Sequence, residues 1–149
     1  MKQIEKIAEG AAYSAVSVGK LSELNEHVLV LSPEVKILGK VFLGNELKTS
    51  GAEISFKSFA VGEGTGFLHT HQKHEELYIF VKGCGEFQID GEVFAIGEGS
   101  VVRVAPSGKR CVRNTGNEPL VMICIQYKAD SFSADDAKDG VILNNPVVW

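Results

Sequence analysis

The chain has 149 residues, 44% of them hydrophobic and 23% charged, which fits one globular domain with a sizeable core. A net charge of -4, a pI near 5.6 and the absence of any Lys/Arg run remove the electrostatic basis for nucleic-acid binding. No segment approaches the ~20 consecutive apolar residues that cross a bilayer, so neither nucleic acid nor membrane is an expected partner.

Taken in order, residues 1–9 (MKQIEKIAE) place Ile4, Ile7 and Ala8 on one side of a short predicted helix. The opening Met1–Lys6 lacks the apolar stretch and small residues of a secretion signal. Short runs rich in Val, Ile, Phe and Tyr then read as strands: 28–31, 37–43, 53–61, 77–82, 86–89, 92–96, 100–105 and 120–127. Asp90-Gly91 between two of them marks a tight hairpin, because such a turn needs residues that tolerate positive φ. Many short strands at close spacing predict an all-β sandwich or barrel rather than alternating strands and helices. After the last strand, Ser133 and Asp136 cap a second short predicted helix that ends before Gly140. The tail Val141–Trp149 reads as an extended segment packed on the barrel or on a neighbouring subunit. Cys84, Cys111 and Cys124 are odd in number and widely spaced, so they predict no disulfide framework. Three buried, inert thiols and no export signal fit a cytoplasmic protein.

Of four histidines, three lie between positions 69 and 74. If residues 69–71 are extended, His69 and His71 project to the same face. A turn at Gln72–His74 then brings Glu76 beside them on the next strand. Two imidazoles and a carboxylate suit a borderline divalent transition metal such as Zn, Fe, Mn or Ni, with open positions for water, dioxygen or a chelating substrate. His74, flanked by Lys73 and Glu75, reads as a solvated turn residue.

At these residues the chain resembles the cupin superfamily. One common form of that family's first motif is G-x5-H-x-H-x4-E-x6-G, which His69, His71, Glu76 and Gly83 fit. The leading glycine is off register, with Gly62, Gly64 and Gly66 around the expected place at Glu63. Gly99, Pro106-Ser107-Gly108 and Asn114 resemble the second motif, with Gly99 one residue early. The motifs span about residues 62–119 and the strand pattern about 36–128. The resemblance implies a double-stranded β-helix, or jelly-roll barrel, as a single domain over 1–149 with N- and C-terminal extensions. It also implies a third histidine in the second motif, which this chain lacks. Counting back from Asn114 puts Arg110 there, and counting forward from Gly108 puts Cys111 there. Adjacent strand residues face opposite sides, so at most one enters the pocket; the ungapped count favours Arg110.

A guanidinium cannot ligate a metal. Arg110 therefore either clamps an anionic substrate beside a metal on His69, His71 and Glu76, or pairs with Glu76 in a metal-free site. An inward Cys111 would instead add a thiolate ligand. Strand alternation places Tyr78 and Phe80 on the Glu76 face and Val112 on the Arg110 face, with Phe67 beside His69. Tyr78 then orients a substrate, acts as an acid or fills the core with its hydroxyl satisfied, and Gln126 reaches the pocket rim. Two functions follow: a metal-dependent enzyme of oxygenase, isomerase or decarboxylase type acting on a small anionic metabolite, or a non-catalytic, metal-free module that binds or senses a small ligand. Similar proteins pair as homodimers, for which residues 11–31 and 141–149 are spare material.

Overall fold

A computed structural model describes residues 1–149. The strands are β1 (Glu5–Gly10), β2 (Tyr13–Ser17), β3 (Val28–Val30), β4 (Lys36–Leu38), β5 (Lys40–Phe42), β6 (Ala52–Phe59), β7 (His74–Lys82), β8 (Cys84–Ile89), β9 (Glu92–Gly97), β10 (Val101–Val104), β11 (Arg110–Asn114) and β12 (Leu120–Lys128). A 3-10 helix covers Leu21–Glu26, and one helical turn, α1 (Gly44–Leu47), precedes β6. Two sheets make the expected all-β jelly roll: β10-β7-β12-β6-β5, and β11-β8-β9 facing it. No helix is long and apolar enough to cross a membrane.

The main core lies between the sheets and contains Phe59, Phe80, Phe87, Ile96, Val112 and Leu120. A second cluster of Val18, Leu24, Val41, Leu43 and Val121 seals the outer face of the larger sheet. That sheet is therefore covered on both sides, and β6 shows the consequence. Its Ile54 and Phe56 pack outward against the second cluster, whereas Glu53, Ser55, Lys57 and Phe59 line the interior cavity.

The motif glycine Gly83 turns β7 into β8 at φ 80°, and a Cβ there would come within 2.6 Å of the Pro119 carbonyl oxygen. Only glycine fits both demands. The predicted Asp90-Gly91 hairpin is present, with both residues at positive φ between paired Ile89 and Glu92.

Several expectations are corrected. Residues 1–9 do not form a helix: Glu5–Gly10 pairs antiparallel with Tyr13–Ser17. A helix this short is marginal alone, whereas the hairpin packs Ile4 and Val16 on the second cluster. Residues 11–31 are not spare, since Val18 and Leu24 are buried within the chain's own fold. The helix after Ser133 shrinks to a 3-10 turn at Asp136–Lys138, although the Ser133 backbone N–H and hydroxyl both donate to Asp136 Oδ2. The tail Val141–Trp149 is exposed throughout and does not pack on the barrel; Ile142 is 95% exposed. Of the thiols only Cys124 is buried; Cys111 is half-buried and Cys84 exposed.

Candidate metal centre and ligand cavity

His69 and His71 precede β7 on an extended segment outside the named strands, where His69 forms an isolated bridge with Arg110. Backbone bonds clip this segment onto the second-motif region: His69 exchanges bonds with Arg110 (3.3 and 3.2 Å), and the His71 N–H donates to the Pro106 carbonyl (2.9 Å). The chain reverses at Gln72–Lys73 and enters β7. Glu76 then stands opposite Val104 on one side and Gln126 on the other. The expected convergence is present. One ligand atom from each of His69, His71 and Glu76 lies within 4.8 Å of the other two.

Glu76 is the hub of the cluster. His69 Nε2 approaches its Oε2 to 3.4 Å, and His71 Nε2 approaches its Oε1 to 3.2 Å. The Tyr78 hydroxyl donates to Oε2, and the Cys124 thiol lies 3.5 Å from Oε1. Arg110 Nε sits 3.2 Å from Oε2. Burial opposes ionisation of this carboxyl, but the bonds from His69 and Tyr78 and the charges of His71 and Arg110 outweigh burial and hold it at about 2. Burial and the adjacent carboxylate push Tyr78 far above the ordinary phenol range and push Cys124 up to about 12. Both keep their protons at neutral pH, so Tyr78 is a donor here and Cys124 is a thiol.

Of the two candidates for the third-histidine place, Arg110 faces the carboxylate. It is 1% exposed, and its Nη1 donates to the carbonyls of Gly108 (2.9 Å), Pro106 (3.3 Å) and His69 (3.4 Å). The guanidinium thus holds the two motif segments to each other and to Glu76. Cys111 lies outside the triad with its thiol 3.5 Å from Gln88 Oε1, yet it lines the same cavity, which corrects the expectation that only one of the two adjacent residues would reach that space. Gln126 Nε2 stands 3.5 Å from His71 Nδ1. Tyr78, Phe80 and Val112 are buried on the predicted face, and the Phe67 ring lies 6.1 Å from that of His69. His74 is half-buried, its ring 6.4 Å from that of His71.

The triad opens into a cavity of about 750 Å³ walled largely by apolar groups, including Leu29, Phe42, Phe59 and Met122. That is a size suited to a small molecule. The sequence reading does not single out Cys124, Lys40, Lys57 or Ser55, all of which line this space. Lys40 within ILGKVFL and Lys57 within EISFKSFAV are charges inside apolar strands, and that is the signal which marks them.

A family model described as a cupin domain matches residues 55–126, from β6 to β12. A cupin protein from Bacteroides fragilis is 33% identical, with 77% of this chain and 94% of that one covered and a TM-score of 0.66. An uncharacterised protein of Methanocaldococcus jannaschii is 34% identical over 67 residues, or 45% of this chain; the match spans 53% of that relative's length. A Klebsiella pneumoniae protein with a double-stranded β-helix domain superposes at a TM-score of 0.56 and 17% identity, over 73% of this chain and 90% of that one; this is a likeness of fold alone. By sequence and fold together, the chain belongs to the cupin superfamily.

Proposed function

We propose that this cupin binds a small molecule beside a divalent transition metal held by His69, His71 and Glu76. One observation carries the reading: three ligand atoms of suitable type converge within 4.8 Å at the wall of a largely apolar cavity. The chemistry of the set fits, because His71 Nε2, though 3.2 Å from Glu76 Oε1, is buried without a formed hydrogen bond, and in the neutral imidazole its lone pair would go to a metal. A metal so held supplies Lewis acidity and positions for a chelating ligand. The chain's own residues do the rest. Arg110 fixes the Glu76 carboxylate, Tyr78 donates to it, and Gln126, with its amide turned to present Oε1 to the Nδ1–H of a metal-bound His71, would orient that ring. The apolar walls strip water from whatever enters. Oxygenase, isomerase and decarboxylase chemistry are all compatible with this fold, and the fold does not choose among them.

The Glu76–Arg110 pair favours a second reading, a metal-free binding or sensing module, since the carboxylate already has a cationic partner. Titration of chelator-treated protein with Co²⁺, followed by visible absorption, separates the two. The metal reading expects one saturable equivalent that His71→Ala abolishes. Absence of saturable binding leaves the module. We also infer that a second copy is the protein partner, because the exposed apolar tail residues Val141–Leu143 and Val147–Trp149 are surface that association would cover. Light scattering at several concentrations checks this: a dimeric mass supports it and a monomer at every concentration opposes it.

A further inference from the structure

Four cations line the cavity: Lys36, Lys40, Lys57 and Arg110. Arg110 is committed to Glu76 at 3.2 Å. Lys57 pairs with Glu63 at 2.6 Å and donates to the Leu38 carbonyl at 2.7 Å. Lys36 is exposed to solvent. Lys40 differs from all three. It is half-buried, its ammonium donates to Ser55 Oγ at 2.8 Å, and it stands 4.7 Å from the centre of the Phe42 ring. It forms no ion pair. The carboxylate of Glu53 on the neighbouring strand accepts from the backbone N–H groups of Gly44 (2.7 Å) and Ile54 (3.0 Å), and it and Glu76 attract the ammonium only from a distance.

The backbone fixes this placement. Gly39, between β4 and β5, has φ 68°, and a Cβ on it would come within 2.7 Å of the Ser58 carbonyl oxygen. From that turn β5 alternates, with Lys40 and Phe42 to the cavity and Val41 to the second cluster. An ammonium held in a cavity without a directly paired carboxylate is costly. Burial accordingly pushes the Lys40 amine below its ordinary value.

We propose that Lys40 and Ser55 form an anion subsite, which takes the carboxylate or phosphate of a small ligand whose other end reaches the His69–His71–Glu76 centre. The anion supplies the missing ion-pair partner and accepts from the Ser55 hydroxyl, which is 3% exposed and gives up its long 3.5 Å bond to the Cys124 carbonyl in exchange. The strands β5, β6, β12 and β7 are successive neighbours, and the ammonium reaches the β6 side chain of Ser55. Ser55 on β6 is level with Tyr78 on β7 across Cys124, so Glu76 lies two strand spacings across and two residues along, ~12 Å between backbones. A ligand that spans both points is a short bifunctional acid with a chelating oxygen at one end and an anionic group at the other. Only that far end rests on the metal reading; the subsite itself needs no metal.

Calorimetric titration of chelator-treated full-length protein, in a buffer free of competing oxyanions, tests this with inorganic phosphate, succinate and neutral succinamide. Phosphate or succinate is expected to bind saturably and succinamide not to bind. Lys40→Met should weaken the anion by about tenfold or more, and Lys40→Arg by no more than about threefold, since it keeps the charge. Because these titrations use metal-free protein, phosphate binding there stands whether or not Co²⁺ is later taken up, so loss of the metal reading and loss of this subsite give different results. Should Lys40→Met not fold, the ε-methylene resonance of Lys40 in ¹³C-lysine-labelled wild-type protein must shift on adding phosphate. Equal binding by Lys40→Met, equal binding of succinamide, no saturable anion binding, or an unmoved Lys40 resonance each overturns the proposal.

Discussion

The two ends of the barrel are built on the same strands and differ in everything else. Along β7 the inward residues run Glu76, Tyr78, Phe80; along β12 they run Gln126, Cys124, Met122; along β6 they run Glu53, Ser55, Lys57, Phe59. Each series passes from polar to apolar within two or three pleats. At the apolar end Phe80, Phe87 and Leu120 are buried to 1% exposure or less, and the rings of Phe80 and Phe87 meet edge to face at 6.3 Å. At the polar end charged side chains face one another across a cavity. The strand backbone is indifferent to this change, because its hydrogen bonds run along the ladder whatever the side chains are. One end can therefore supply stability while the other carries groups that stability alone would not select.

The largest effect that sharpens this contrast belongs to the closed end. Phe87→Ala should cost about 4 kcal/mol in denaturant unfolding, through lost burial and a cavity that rigid strands cannot collapse. Metal binding by the folded variant should survive.

At the open end, Glu76→Gln should cost about 3 kcal/mol, because it leaves the Arg110 guanidinium buried without its charge partner. A cost near zero would break the comparison, showing that the polar cluster is freely solvated.

The same carboxylate sets a pH dependence in chelator-treated protein. Burial works against its ionisation, yet the surrounding donors and cations lower it from 4.5 to about 2. Its contribution is thus fully present above the unfolded value of about 4.5 and is lost as the pH falls through about 2. Stability of the wild type should decline over that window relative to Glu76→Gln; parallel curves would contradict the shift.

The smallest effect is expected for Gln126→Ala, which should leave stability unchanged. Metal affinity should fall by about tenfold, as for other residues that orient a ligand imidazole from outside. Unchanged Co²⁺ affinity would assign Gln126 to the cavity rim alone.

The contrast also explains what could be read without a structure. His69-x-His71-x4-Glu76-x6-Gly83 was legible because its elements lie close in the chain, where a turn and the period of a strand decide their positions. The strands were legible from composition and spacing. Lys40 and Cys124 were not, although one is a charge in an apolar run and the other a thiol on a predicted strand. They reach the cavity through the order β5-β6-β12-β7, a non-local arrangement. Alternation on β6 was equally visible, but both faces of that sheet are covered, so the pattern could not say which face was cavity and which was core. Asn114 was legible as a motif position but not in its role. Its side-chain amide donates to the carbonyls of Phe59, Ala60 and Glu118 and accepts from the Gly116 N–H, which pins the end of β6 to the loop before β12. Residues 1–9 were misread because a helical period in nine residues is a weaker force than a hairpin packed on a ready apolar face.

The central claim is that the polar end of this barrel holds a metal, and elemental analysis of protein purified without chelators tests it most directly. The account predicts about one equivalent of a divalent transition metal in the wild type and none in His71→Ala. Metal-free wild type that takes up none when it is supplied, or a His71→Ala variant that keeps its equivalent, would contradict it.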